Sequence, residues 1–193
     1  MLDRTLNMLL LACALSAGGT APVSAQPGAP SFELKVERVD GAAGGKVYQI
    51  ASSGTVAATP TVVWRILTDY NHLADYLPNL KSARVVSRNG DRIIVEQRGT
   101  ARFLFFSQTI RLLVQVHERA PNRIDISLIE GDMKVYRARW ELRPLAGATG
   151  TRVVYNATME PKFDVPGIVG ASVVRRDVAK MMAAVLLRLD RQE

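Results

Sequence analysis

The 193-residue sequence has one cysteine, Cys13, and two histidines, His72 and His117. With Cys13 confined to an N-terminal apolar stretch, neither a disulfide framework nor a Cys-ligated metal can organise the rest. The histidines stand in different contexts, with no carboxylate at metal-ligand or catalytic spacing, so neither a metal site nor histidine acid–base chemistry is expected. There is no phosphate-cradling glycine loop, no HExxH, no Gly-x-Ser-x-Gly elbow and no dinucleotide fingerprint. No cofactor is therefore expected, and most familiar enzyme classes are disfavoured. Past the N-terminal stretch, no apolar run reaches the roughly 20 residues that a bilayer-spanning helix needs.

What is present begins with a leader. Arg4 precedes an apolar run from Leu9 to Leu15, and Val23-Ser24-Ala25 offers the small residues of a cleavage site. Residues 1–25 thus read as a signal peptide, which predicts a periplasmic or secreted protein. A lipoprotein anchored through Cys13 is the lesser alternative, because Leu11 suits that pattern poorly and the apolar run is cut short. Residues 26–31 contain two prolines and read as a tether, leaving 32–193 as one domain. The formal charge is +7, and Asp3 and Arg4 cancel in the leader, so cleavage leaves it unchanged. On an exported chain such a surface points to anionic lipid head groups rather than nucleic acid, although a solvated basic face explains it equally.

Periodicity organises that domain. Phe32–Val39 and Lys46–Val56 flank a glycine-rich turn and read as a hairpin or two paired edge strands. Thr59 is placed to cap a helix with Pro60 at its first position and Val62, Val63, Ile66 and Leu67 at helical spacing. A second short helical segment, Leu73–Leu77, stops at Pro78. Six strands follow: 81–88, 92–105, 107–118, 123–130, 136–144 and 152–161, joined by turns such as Asn89-Gly90-Asp91 and Ala120-Pro121-Asn122. These imply an antiparallel meander. After Pro166 a long helix carries a broad apolar face, including Val173, Val174, Val178, Met181, Met182 and Val185. Arginines 98, 102, 111, 137, 139 and 143 are expected to crowd the outer sheet face.

This order, with Thr59-Pro60-Thr61-Val62-Val63-Trp64, Asp69-Tyr70, Tyr76-Leu77-Pro78-Asn79-Leu80, Ala138-Arg139-Trp140-Glu141-Leu142-Arg143-Pro144 and Gly150-Thr151-Arg152-Val153-Val154-Tyr155, resembles the polyketide cyclase and coenzyme Q-binding branch of the START-like (Bet v 1-like, SRPBCC) superfamily. The resemblance implies an α+β helix-grip fold, a curved antiparallel sheet wrapped around the C-terminal helix. It also implies a cavity for a lipid, quinone or polyketide, gated by Tyr70, Leu73, Tyr76, Leu77 and Pro78.

Candidate lining residues follow from period counting and from that resemblance. Phe103 and Phe105 share a face with Ile93, Val95 and Ala101 and either line the cavity or fill the core, unless a β-bulge near Gly99 or Ser107 swaps the faces. Val114 and Leu128 are further candidates on the strands. Trp140 and Tyr155 are placed facing the long helix, which would contribute Val174, Val178, Met181, Met182 and Val185, although ordinary core packing accounts for the two methionines as well.

Three functions fit: a carrier of an apolar molecule, a cyclase or dehydratase drawing on Gln97, Ser127 and Asn156, or an interaction protein with a filled cavity. Asp69 and Asp75 read as helix-terminating residues, and no catalytic residue is assigned.

Overall fold

A computed structural model describes residues 30–41, 44–102, 107–147, 149–165 and 170–191. The signal peptide, Cys13, most of the tether, Phe103, Phe105 and Pro166 lie outside the described residues.

The chain forms β1 (Phe32–Asp40), β2 (Lys46–Val56), α1 (Pro60–Leu67) and a short 3-10 helix, Tyr70–Asp75. Then come β3 (Leu80–Asn89), β4 (Arg92–Arg102), β5 (Ser107–Arg119), β6 (Arg123–Gly131), β7 (Met133–Pro144), β8 (Thr151–Pro161) and α2 (Gly170–Asp190). All pairings are antiparallel, in the order β1-β2-β8-β7-β6-β5-β4-β3. The sheet is curved and unclosed, and α2 packs against β1, β2 and β4, which makes this the helix-grip fold. No helix among the described residues is long and apolar enough to cross a membrane.

Alternation sets which face turns inward. On β2, Tyr48, Ile50, Ser52 and Val56 are buried while their odd-numbered neighbours Gln49, Ala51 and Thr55 are exposed. Ser52 is tolerated there because its hydroxyl donates to the Glu33 carbonyl at 2.7 Å. The inner faces of β4, β5 and β8 present Ile93, Val95, Val114, Val116 and Val153, and α2 closes over them with Met182, Leu186 and Leu189, all fully buried. This contiguous apolar burial is the main driving force holding the helix in the sheet.

Turn chemistry works as the sequence implies. Gly90 takes φ +59° in the β3–β4 hairpin, a conformation that disfavours residues with a β-carbon. Three details differ. The first hairpin forms, but only β1 is an edge, because β2 pairs with β8 on its other side. Thr59 stands at the N-cap of α1, but its side chain makes no capping bond; the first turn closes through its carbonyl, which accepts from Val63 N–H at 3.0 Å. The second short helix begins three residues earlier than the spacing predicts, at Tyr70.

Register shifts fall in β3, between β5 and β6 at Leu113/Val114, and at the start of β7, whereas β4 and β5 pair without interruption from Arg92 to Arg102. Such bulges bend strands and increase twist, which helps the sheet to curl around α2. At the end of β6, Gly131 adopts φ +137°, and a β-carbon there would collide with the backbone oxygen of Arg111. A neighbouring bond, Arg111 N–H to Asp132 Oδ2 at 2.7 Å, closes this corner. Gly131→Ala is expected to destabilise the protein by about 2 kcal/mol or more, read as a lower urea midpoint at unchanged slope.

Candidate functional site

Between the inner sheet face, the 3-10 helix and α2 lies a cavity of about 300 Å³, at the lower end of the range for small-molecule pockets. Leu67, Tyr70, Leu73, Tyr76, Leu77 and Pro78 form one side. The strands add Gln97, Ile110, Leu112, Ile126, Trp140 and Tyr155, and α2 adds Val174, Val178, Met181 and Val185. The cavity is therefore open rather than filled, and its wall is mostly hydrocarbon.

Ten of the residues anticipated for the lining meet here: Tyr70, Leu73, Tyr76 and Leu77 below, Trp140 and Tyr155 on the strands, and Val174, Val178, Met181 and Val185 on α2. Val114 and Met182 do not reach the wall; both are fully buried in the packed core. Leu128 also stays outside, because β6 leaves its partner β7 after Ser127 and the register shift against β5 turns this end of the strand away. Ser127 and Asn156, considered as polar groups for chemistry, belong to the opposite face, where they line an outer groove with Gln115 and Thr158. Alternation explains this for Asn156, since its neighbours Tyr155 and Ala157 are the buried ones. Gln97 does reach the cavity.

Tyr48, Met133, Tyr136 and Met159 line the cavity although the sequence reading did not single them out. Their signal was available: Tyr48 shares the phase of Ile50 on β2, and Tyr136 that of Ala138 and Trp140 on β7. Trp140 and Tyr155 pack with ring centroids 4.5 Å apart and planes tilted by 42°. The Tyr155 and Tyr136 hydroxyls hydrogen-bond to each other, and burial raises the pKa of both above the ordinary phenol value.

The floor is pinned by polar contacts. Tyr70 donates from its hydroxyl to Glu118 Oε1 at 2.9 Å, and Arg88 reaches both oxygens of the same carboxylate at 3.2 and 3.3 Å. Asn71 Oδ1 accepts from Val85 N–H at 2.8 Å. The 3-10 helix is thus tied to β5 by one residue and to β3 by the next. Burial, followed by the Glu118 charge and hydrogen bond, holds the Tyr70 phenol far above its usual pKa, so it remains a donor.

Each histidine has an aspartate partner that spacing did not reveal: His72 Nδ1 lies 2.7 Å from Asp69 Oδ1, and His117 Nε2 lies 2.7 Å from Asp91 Oδ2. His72 is largely exposed beside the 3-10 helix and His117 sits on the outer face, so neither addresses the cavity. On that outer face the arginines form ion pairs rather than a bare row. Arg84, Arg98 and Arg111 converge on Glu96, pushing its carboxyl down to about 2. Partial burial works against the charged form of Asp125, yet hydrogen bonds from Arg123 and Arg139 hold it below its ordinary pKa. Arg143 pairs with Glu141 at 2.5 Å.

A curved sheet gripping one helix over an apolar cavity defines a helix-grip protein. By its match over residues 56–186 the chain belongs to the family described as polyketide cyclase / dehydrase and lipid transport. Similar solved structures include a START superfamily protein from Mycobacterium smegmatis, with 19% identity and a TM-score of 0.65 over 75% of this chain and 99% of that one. The Zhui aromatase/cyclase from a Streptomyces species has 15% identity and a TM-score of 0.65, covering 76% of this chain and 95% of its own. A STAR-related lipid transfer protein from Xanthomonas axonopodis has 16% identity and a TM-score of 0.61, covering 81% and 99%. At these identities the likeness concerns the fold. No curated protein sequence matches the chain.

Two outcomes test this arrangement. Tyr70→Phe removes a hydrogen bond to a carboxylate that keeps Arg88, and should cost about 1–2 kcal/mol in chemical denaturation. The Asp69 hydrogen bond, and secondarily its charge, raise the His72 pKa above its ordinary 6.5. Its stabilising contribution is therefore fully present below the unfolded-state pKa and is lost as pH rises through the folded value. By NMR the His72 ring should titrate above a free histidine, and Asp69→Asn should bring the midpoint down.

Proposed function

We propose that this protein is an exported carrier that holds an apolar small molecule in the cavity between the sheet and α2. The observation that carries the reading is the character of the wall. Apart from neutral hydroxyls and the amides of Gln97 and Asn79, the described lining is hydrocarbon, and its one carboxylate, Asp177, is paired with Arg176 at 3.1 Å. Removing apolar ligand surface from water supplies roughly 25 cal/mol per Å², offset by the entropy of association. Met181 and Met159 add side chains that adjust to ligand shape.

The family also covers cyclases, and the Zhui aromatase/cyclase shares the fold. Enzymatic ring closure would draw on Gln97 and the tyrosines, because Ser127 and Asn156 face the other way. The carrier reading is preferred because no described acid–base pair faces the cavity. Export is supported by Arg4, the Leu9–Leu15 run and Val23-Ser24-Ala25. Contact with an anionic membrane surface is supported by the net charge of +7.

Native mass spectrometry on protein recovered from its own periplasm, followed by organic extraction, tests the reading. The expected result is a stoichiometric apolar molecule on a chain whose sequenced N-terminus is Gln26. An empty chain that also fails to bind apolar probes would overturn the carrier assignment, and a retained leader would overturn export.

A further inference from the structure

Three polar atoms of residues on the cavity wall are buried with no hydrogen-bond partner among the described residues: Tyr48 Oη, Tyr76 Oη and Thr100 Oγ1. Natural proteins rarely leave such groups unpaired, because a hydroxyl taken out of water without a partner is costly. The deficit belongs to these side chains in particular. Tyr70 has Glu118, the Tyr136 and Tyr155 hydroxyls have each other, and the backbone N–H of Thr100 donates to the Asn79 carbonyl at 2.9 Å.

The three atoms come from separate parts of the wall. Tyr48 stands on β2 against Gly170, the first residue of α2, where a β-carbon would collide with its hydroxyl oxygen. Tyr76 follows the 3-10 helix, and Thr100 lies near the end of β4. Burial raises the pKa of both Tyr48 and Tyr76, so each stays a neutral donor. Charge on the wall is equally informative. No lysine, arginine or histidine is among its described residues, and the single acid is Asp177. An ionised head group would meet no counter-charge there, and the desolvation of a carboxylate or phosphate would go uncompensated.

We propose that the molecule held in this cavity is neutral and carries carbonyl or hydroxyl oxygens at separated positions on an apolar frame, satisfied by Tyr48, Tyr76 and Thr100. An ionised fatty acid, a phospholipid and a bare hydrocarbon are then poor ligands. The inference rests on the reading of the cavity as a ligand site and narrows the class of ligand. It assigns these residues to positioning and selectivity, with no covalent step.

The test uses the full chain, stripped of copurified molecules by organic exchange, and follows quenching of tryptophan fluorescence, to which Trp140 on the wall contributes. Anthraquinone and anthracene share a three-ring frame and differ in two carbonyl oxygens; myristate supplies the anionic case. Anthraquinone is expected to bind about tenfold tighter than anthracene, and myristate more weakly than either. Tyr48→Phe and Tyr76→Phe should each weaken anthraquinone about three- to tenfold and leave anthracene unchanged, and Thr100→Val provides a third variant should one tyrosine change impair folding.

Equal affinity for the two ring systems, tighter binding of myristate, or an unaltered anthraquinone-to-anthracene ratio in the variants that fold would overturn the proposal while leaving a ligand-binding cavity. Failure of all three probes to bind the unsubstituted protein would overturn both the proposal and the reading beneath it.

Discussion

The docking of α2 into the concave face of the sheet sets the terms for every other part of the molecule. A sheet of eight strands that twists and bulges cannot lie flat on one helix. Contact is dense where Met182, Leu186 and Leu189 meet the inner residues of the strands. Toward Val174, Val178 and Met181 the helix and sheet diverge, and a cavity remains between them. One interface thus supplies the core and, where it opens, the site. Stability and binding are drawn from successive stretches of the same helix face.

Polar groups around the cavity divide accordingly. Those that fix architecture are satisfied: Tyr70 and Asn71 tie the floor to two strands, Ser52 bonds the Glu33 carbonyl, and Thr151 donates to the Ala58 carbonyl at 2.7 Å. Hydroxyls with no structural duty are the ones left unpaired. That contrast marks Tyr48, Tyr76 and Thr100 off from ordinary buried polar residues, since a fold that satisfies its other hydroxyls has the means to satisfy these.

Much of the fold was legible because its signals are local. Alternation over β2, β5 and β8, glycine in the hairpin after Asn89, and helical spacing through α1 and α2 each specify one element and one buried face. The cavity was less legible, because inward-facing residues on one strand are not equivalent. Val114 and Val116 share a phase, yet only Val116 reaches the wall. What separates them is the local curvature of the sheet, which arises from register shifts between strands distant in sequence and has no single-strand signature. The same limitation hid the His117–Asp91 contact, which joins β5 to the β3–β4 hairpin across 26 positions. Leu128 was misplaced because β6 leaves β7 after Ser127, an event decided by pairing rather than composition.

An unclosed sheet leaves two strands, β1 and β3, with one side of the ladder unpaired. Such margins are templates onto which a second chain can hydrogen-bond, and folded proteins must discourage this. Here β3 carries Lys81, Arg84 and Arg88 and breaks its own regularity with two register shifts, while β1 carries Lys35, Glu37 and Arg38 and lays Phe32, Leu34 and Val36 against the core. A neighbouring strand approaching either margin would have to match an interrupted ladder and bury charged side chains. The irregularity that helps bend the sheet around its helix therefore also protects its rim from self-association, a safeguard that a flatter, more regular β3 would forfeit.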